Sequence, residues 1–145
     1  MIDQRLAPYG VFALRAALGV MFISHAYLKY AIFTVAGFEG YLGSLGLPAV
    51  LAWPIILAEL VGGIAILVGF HSRVAQLALL PILLGAIGAH AANGWVFNVP
   101  NGGWEYPAFL AAAAVAQVLL GDGAFAVKRT VLPVPQARKF GVQTA

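Results

Sequence analysis

The stretch that decides the fold lies between residues 9 and 33 and reads YGVFALRAALGVMFISHAYLKYAIF. Three basic side chains, Arg15, His25 and Lys29, interrupt an otherwise apolar run. The run is longer than the roughly 20 residues that a helix needs to cross a bilayer. A signal peptide has a short, uninterrupted apolar region and then a small-residue cleavage site. We therefore expect this segment to be retained as a membrane-spanning helix.

The composition of the whole chain agrees with a lipid environment. Its 145 residues are 62% hydrophobic and only 9% charged, and the mean hydropathy is +0.93. Soluble domains are about 45–50% apolar and about 25% charged, so an ordinary soluble enzyme is excluded. The chain has no cysteine, which excludes disulfides, thiolate nucleophiles and Cys-ligated metal or iron–sulfur sites. A redox role would therefore need a bound cofactor, a substrate or a partner.

The remaining apolar stretches predict three more spans, at residues 49–70, 74–93 and 106–120, the last extending toward residue 127. Pro81 should kink the third span, which membrane bundles tolerate. The Gly-rich segment 34–48 predicts a short interfacial helix, and segment 94–105 predicts a structured loop. The predicted fold class is an all-α integral membrane protein. It is a four-transmembrane-helix bundle forming a single domain over residues 1–127, followed by a basic cytoplasmic tail at 128–145.

The distribution of Lys and Arg outside the spans predicts the orientation. Those residues are Arg5, Arg73, Lys128, Arg129, Arg138 and Lys139. The connections 34–48 and 94–105 have no Lys or Arg and carry Glu39 and Glu105 instead. The positive-inside rule then places both termini in the cytoplasm, in a bacterial-type plasma membrane, with the tail near anionic headgroups. The formal net charge of +3 reflects this topology, so we expect no nucleic-acid partner.

Ionisable side chains within the spans are the candidates for function, because each costs about 2.5–3.5 kcal/mol on insertion scales. They are Arg15, His25, Lys29, Glu59 and His90. At about 100° per residue, Arg15, His25 and Lys29 share one stripe of the first helix, which should face the bundle interior. Gly62 and Gly63 follow Glu59 and would let a neighbouring helix approach.

These groups predict a polar pocket that opens outward and is built from all four helices. The catalytic candidates are His25, Lys29, Glu59 and His90. The ligand-binding candidates are Arg15, Asn93, Glu105 and Tyr106. We assign no metal ligand among them.

Each candidate also has a purely structural interpretation. Lys29 could extend to the outer headgroups, and Arg15 could anchor the helix on the cytoplasmic side. Glu59 has no such route to water, so it is either ion-paired with Lys29 or Arg15, or part of a site, and these two are compatible. The two histidines could be satisfied core residues, and Glu105 with Tyr106 could simply begin the fourth helix.

The motifs along the chain carry a resemblance to a known family. In order they are LR at 14–15, GVMF at 19–22, HAYLK at 25–29, GF at 37–38, LGLP at 45–48, ELVGG at 59–63 and GGWEY at 102–106. Their order and spacing, over about residues 11–121, resemble the DoxX family of small four-helix membrane proteins. The resemblance implies an oxidoreductase, or a membrane subunit of an oxidoreductase assembly, with some relatives linked to quinone chemistry. The family's polar positions would be Arg15, His25, Lys29, Glu59, His90, Glu105 and Tyr106.

The leading functional hypothesis is a membrane subunit that binds a quinone or another small redox-active ligand. In it His25 and His90 would donate and relay protons, Lys29 would stabilise negative charge, and Glu59 would accept a proton. The expected partners are the bilayer and other membrane or peripheral redox proteins, with a homo-oligomer left open.

Three alternatives remain open at this point. The first is a non-catalytic accessory or anchor protein for a partner complex. The second is a metal or haem site held by His25 and His90, with Glu59 as an optional further ligand. The third is transport of a small anion or weak acid.

Overall fold

The computed structural model describes residues 3–131, and in this part of the chain the protein is helical, with no strand. The helices are α1 (Ala7–Tyr27) with a π-helical turn at Leu28–Ile32, α2 (Val35–Ser44), a 3-10 turn (Ala49–Leu51) leading into α3 (Ala52–Val68), α4 (Ser72–His90) with a 3-10 turn at Ala91–Asn93, and α5 (Glu105–Leu120). The four long apolar runs of the sequence are therefore α1, α3, α4 and α5.

Three of these helical segments are long and apolar enough to cross a membrane. They are Ala7–Ile32, Ala49–Val68 and Ser72–Asn93, with 26, 20 and 22 residues. With 16 residues, α5 is about 24 Å long, shorter than the roughly 30 Å hydrocarbon core. Three long helices and a shorter one fit a membrane helical bundle.

The predicted short helix between the first two spans is α2. Its N-terminus is capped by Thr34, whose hydroxyl accepts the backbone N–H of Gly37 at 3.2 Å. Phe38 and Leu42 are its buried residues, and they pack in a cluster with Ala26 of α1 and residues of α3. The segment 94–105 is the structured loop that the sequence predicts.

The two helices α1 and α3 pack with their backbones in close contact. A Cβ atom on Gly19 would lie 2.7 Å from the backbone nitrogen of Leu67, and one on Gly63 would lie 3.0 Å from that of Ile23. Gly62 faces α4 instead. Small residues allow this approach where lipid provides no hydrophobic driving force between helices, so the interpretation of Gly62 and Gly63 is confirmed.

The centre of the bundle is an apolar cluster to which α1, α3, α4 and α5 all contribute. Leu18, Ile66, Leu79 and Ala114 are each at most 2% exposed. This cluster separates two ends of the bundle. At one end of the bundle, α1 begins, α3 meets α4, and α5 ends; we call this the Arg15 end. We call the opposite end the Lys29 end.

The prediction that the last helix continues toward residue 127 is wrong. It ends at Leu120, because Gly121 takes a φ of +99° that no helix continues through. The chain then folds across the Arg15 end, where Ala124 N–H donates to Pro8 O at 2.9 Å and Lys128 N–H donates to Gly69 O at 3.0 Å. Of the expected basic tail, residues from 132 onward, including Arg138 and Lys139, lie outside the described residues.

Candidate functional site

A buried ion pair joins α3 to the end of the first helix. Lys29 Nζ donates to both carboxylate oxygens of Glu59, at 2.9 Å to Oε1 and 2.7 Å to Oε2. Glu59 is 3% exposed, and the Lys29 side chain is 14% exposed. Lys29 therefore turns into the bundle rather than extending to the headgroups. Of the partners that the sequence allowed for Glu59, the structure selects Lys29.

The backbone that carries Lys29 is a π-helical turn. The N–H of Phe33 bonds to Leu28 O at 2.9 Å, one residue further back than in an α-helix. Such turns are rare and frequently occur at functional sites. Lys29 Nζ also lies 5.6 Å from the centroid of the Phe38 ring of α2, so α2 covers one side of the ion pair.

A stacked pair of rings lies one helical turn from Lys29. His25 and Tyr106 of α5 have centroids 5.6 Å apart and planes 15° from parallel. The Tyr106 hydroxyl lies 3.5 Å from Met21 Sδ, whereas the His25 ring nitrogens make no hydrogen bond within residues 3–131. His25, Lys29, Glu59 and Tyr106 together are the candidate site.

An open groove runs along α5, and Tyr106 is the candidate-site residue among those that line it. It has a volume of about 540 Å³ and is lined mainly by aromatic and alanine side chains, with Glu105 and Tyr106 among them. The aromatic members are Trp95, Phe97 and Phe109. The structure thus shows a mostly apolar groove on one side of α5, whereas the sequence predicted a polar pocket that opens outward and is built from all four helices. Tyr106 belongs both to the groove and to the stack with His25.

His90 and Asn93 bind a loop rather than the ion pair. His90 Nδ1 lies 3.0 Å from Asn101 O and 3.2 Å from Gly102 O. Both partners are carbonyl oxygens, so we assign the proton to Nδ1. Asn93 Nδ2 donates to Gly102 O at 2.9 Å.

Glu105 closes the other side of that loop. Its Oε1 accepts the Phe97 N–H at 3.2 Å, and its own N–H donates to Trp95 O at 3.0 Å. We call His90, Asn93 and Glu105 the loop cluster. The structure brings these three residues to the Lys29 end but gives each of them a loop backbone partner.

Arg15 lies far from the candidate site. It is 0% exposed and about 20 Å along the first helix from Lys29. Its guanidinium donates to three backbone carbonyls, Ile66 O at 3.2 Å, Leu67 O at 3.1 Å and Ala124 O at 2.9 Å. Arg15 does face the interior, as the stripe predicted, but it ties the end of α3 to the segment after α5.

Two buried glutamines, neither of them among the predicted site residues, lie at the Arg15 end. Gln76 of α4 and Gln117 of α5 are both 0% exposed. Gln76 lies about one turn from Leu79, and Gln117 lies about one turn from Ala114, just as Arg15 lies one turn from Leu18. The three polar side chains are therefore at a similar depth relative to the apolar cluster. Arg15 Nε, both amide atoms of Gln76 and Gln117 Oε1 have no hydrogen-bond partner within the described residues. An amide side chain within an apolar helix is the sequence signal for such a buried polar group.

Asp122 is the other buried acid of the described chain, and it lies just beyond α5. Ser72 Oγ donates to its Oδ1 at 2.5 Å, and the Thr130 N–H donates to its Oδ2 at 2.7 Å. Burial alone would raise the pKa of Asp122, but these hydrogen bonds to the ionised form prevail and hold the pKa below its ordinary value. Its role is to fasten the segment after α5 to the start of α4.

The alternative of a metal centre at His25 and His90 has no supporting ligand cluster in the described residues. Within residues 3–131, no group of three His, Asp or Glu side chains is arranged to hold a metal ion. His25 stacks on Tyr106, while His90 binds the loop. The two histidines therefore have separate surroundings.

Comparison with known proteins gives a consistent result. The profile of the DoxX family matches residues 10–98. A Bacillus subtilis (strain 168) protein named "Putative oxidoreductase CatD" is 33% identical over 81 residues, which are 54% of this chain and 57% of that protein. The chain thus matches little more than half the length of this relative. No solved structure matches the chain.

Proposed function

The chain belongs to the DoxX family, and from that premise we propose that it is a membrane component of an oxidoreductase assembly that binds a quinone at the Lys29 end. The observation that carries the proposal is the buried Lys29–Glu59 ion pair beside the His25–Tyr106 stack. Ionisable groups at membrane depth are functional candidates by default, because their insertion is costly. The name of the Bacillus relative points to the same class of reaction.

The proposed topology has four spans, with α2 lying at the membrane interface. Arg5, Arg73, Lys128 and Arg129 belong to the segments that meet at the Arg15 end. The connections at the Lys29 end contain no Lys or Arg. The positive-inside rule therefore supports a cytoplasmic Arg15 end in a bacterial-type plasma membrane.

The residues along the groove suit a quinone in size and chemistry. Ligand pockets span about 300–1,000 Å³ and combine apolar walls with a few polar groups. The groove of about 540 Å³ is lined by aromatic and alanine side chains together with Glu105 and Tyr106, and the Tyr106 ring stacks on His25. A bound quinone would supply the two-electron, two-proton chemistry that a chain without cysteine has no side chain to perform. The electrons would come from a membrane or peripheral redox partner.

The chain's own residues would then bind the ligand and handle protons. The Tyr106 hydroxyl and a His25 ring N–H would donate hydrogen bonds to a carbonyl oxygen of the ligand. His25 would pass its ring proton to that oxygen and take a proton in return from Lys29, which would regain one from water at the membrane surface. While charged, Lys29 would stabilise negative charge developing nearby. Glu59 would hold Lys29 in position and, in the reverse direction, accept the proton released when the quinol is oxidised. Arg15 and the loop cluster take no part in this step.

Binding is the direct test. Protein purified in mild detergent would be analysed by mass spectrometry for co-purifying quinone, and its melting temperature would be followed against a soluble quinone analogue. The test variant is His25→Gln, and the matched control is His71→Gln, the same change in the turn between α3 and α4 at the Arg15 end. We expect wild type and His71→Gln to retain the ligand, and His25→Gln to bind about tenfold more weakly, as loss of one hydrogen bond of about 1.4 kcal/mol predicts.

Two outcomes would contradict the proposal. Wild-type protein that neither carries quinone nor changes its melting temperature with the analogue would leave the ion pair as an assembly device. An accessory or anchor role would then be the better account. Equal losses in His25→Gln and His71→Gln would show that the candidate site is not where the ligand binds.

A further inference from the structure

A second cavity lies at the Arg15 end, remote from the candidate site. Its volume is about 460 Å³, and it lies where the start of α1, the start of α4 and the segment after α5 come together. Its lining includes Gln4, Arg73, Asp122, Arg129 and Thr130. This basic pocket differs in character from the aromatic groove, because charged and hydroxyl side chains line it.

Both arginines of the basic pocket have guanidinium nitrogens available. Arg73 Nε donates to Val118 O at 2.7 Å, which fixes the side chain, and its two terminal nitrogens make no hydrogen bond within residues 3–131. Arg129 is exposed and makes no side-chain hydrogen bond or ion pair in the same range. Two positive charges thus line one cavity without a carboxylate bound to either in the described chain.

Asp122 does not neutralise them by direct contact. Its two oxygens accept from Ser72 and Thr130, so they are committed to the fold. Counted as formal charges, the lining carries two positive groups and one negative group. A ligand that fits must therefore be anionic and must accept hydrogen bonds.

The location of the basic pocket indicates the source of that anion. It lies at the end of the bundle where Arg5, Arg73, Lys128 and Arg129 gather, which is the level of the headgroups in any membrane-spanning arrangement of α1 and α4. Basic pockets between transmembrane helices at the cytoplasmic side bind phospholipid headgroups. The planar fork of Arg matches phosphate oxygens in bidentate fashion.

We propose that Arg73 and Arg129 bind the phosphate of an anionic phospholipid headgroup in the basic pocket. The lipid would join the start of α1 to the segment after α5, and its acyl chains would lie along the outer surface of the bundle. The proposal does not depend on the quinone proposal, since it concerns the opposite end of the molecule.

The experiment compares lipids and variants in one format. Purified protein would be titrated with phosphatidylglycerol or phosphatidylcholine, and with glycerol phosphate as the free headgroup. Bound lipid would be counted by native mass spectrometry and the melting temperature followed in parallel. The test variant is Arg129→Gln. The control is Lys128→Gln, which removes the same charge from the neighbouring exposed residue, whose ammonium lies over the Phe70 ring rather than in the pocket lining.

We expect phosphatidylglycerol to bind and stabilise wild type and Lys128→Gln, and to bind Arg129→Gln about tenfold more weakly, as the loss of about 1.4 kcal/mol predicts. Equal weakening in the two variants would overturn the proposal, because it would indicate diffuse surface charge. Equal binding of phosphatidylcholine would overturn it too, and stabilisation by glycerol phosphate at matched concentration would overturn the assignment to a lipid. Because Arg129 is exposed, the two variants should have the same melting temperature in neutral lipid. This control verifies that both variants are folded.

Discussion

The first helix carries two inward-facing cations whose surroundings differ. Arg15 is stabilised by hydrogen bonds to the backbone carbonyls of Ile66, Leu67 and Ala124, whereas Lys29 is neutralised by the carboxylate of Glu59. A carbonyl neither takes up nor releases a proton, and an arginine stays charged in proteins. A lysine–glutamate pair can exchange a proton within itself. The same helix therefore has a fixed structural cation at one end and a pair capable of proton chemistry at the other.

This comparison predicts that removing Arg15 has the largest effect. Arg15→Met would leave three buried carbonyls without their donor, at about 1–3 kcal/mol for each unsatisfied group. We expect the free energy of unfolding to fall by about 3 kcal/mol or more, measured by denaturant titration in detergent. Arg5→Met, at an exposed arginine of the same end, should change it by less than about 0.5 kcal/mol. Similar losses in both variants would show that the carbonyl contacts do not stabilise the fold.

Breaking the Lys29–Glu59 pair should have an intermediate effect that a second substitution rescues. Glu59→Gln leaves a buried ammonium without its counter-ion, and breaking a fully buried pair costs about 3–5 kcal/mol. Because Lys29 is partly exposed, we expect a loss of about 2 kcal/mol.

The double variant Lys29→Met with Glu59→Leu removes both charges, and its free energy of unfolding should recover at least half of that loss. A double variant as unstable as the sum of the two single variants would mean that the pair is not a self-contained unit. No equivalent rescue is expected for Arg15, since its acceptors are backbone atoms.

The smallest effect concerns Asp122, which anchors the Arg15 end through a group that titrates. Because its folded-state pKa is below the unfolded value, its stabilisation is fully present above the unfolded pKa of about 3.9. It is lost as pH falls through the folded pKa. Asp122→Asn should therefore flatten the fall in melting temperature below about pH 4 and cost about 1 kcal/mol at neutral pH. Identical acid profiles for wild type and Asp122→Asn would exclude this contribution.

Much of the fold follows from the sequence because lipid imposes a simple rule on the backbone. Every buried N–H and C=O must be satisfied within the segment, so long apolar runs become helices at the predicted positions. The stripe of Arg15, His25 and Lys29 also follows, since helical periodicity alone sets it. For Glu59, the sequence predicts an ion pair with either Lys29 or Arg15. The choice of Lys29 depends on the depth of each cation along the first helix, which the structure provides.

The rest depended on contacts between segments distant in sequence. The end of α5 at Leu120 depends on the turn at Gly121 and on the hydrogen bond between Ser72 and Asp122. No local sequence pattern predicts that hydrogen bond. Arg15 finds its acceptors on α3 and after α5. Histidine is a residue type typical of functional sites, but the partners of His90 are loop carbonyls. The loop presents them where Asn101 and Gly102 both have positive φ. The π-helical turn at Leu28–Ile32 likewise has no composition signal that we can identify.

The backbone hydrogen bonds that cross the Arg15 end have a mechanical consequence. They join Pro8 to Ala124, Val68 and Gly69 to Val127 and Lys128, and Lys128 to His71, so the helix ends there are tied together as at a pivot. At the Lys29 end, α1 and α3 are joined by side-chain contacts instead, the Lys29–Glu59 ion pair among them. A tilt of about 5° about Arg15 would move Lys29, about 20 Å away, by about 2 Å, enough to separate the ion pair. A small rotation at the tied end would in that case become an opening at the Lys29 end.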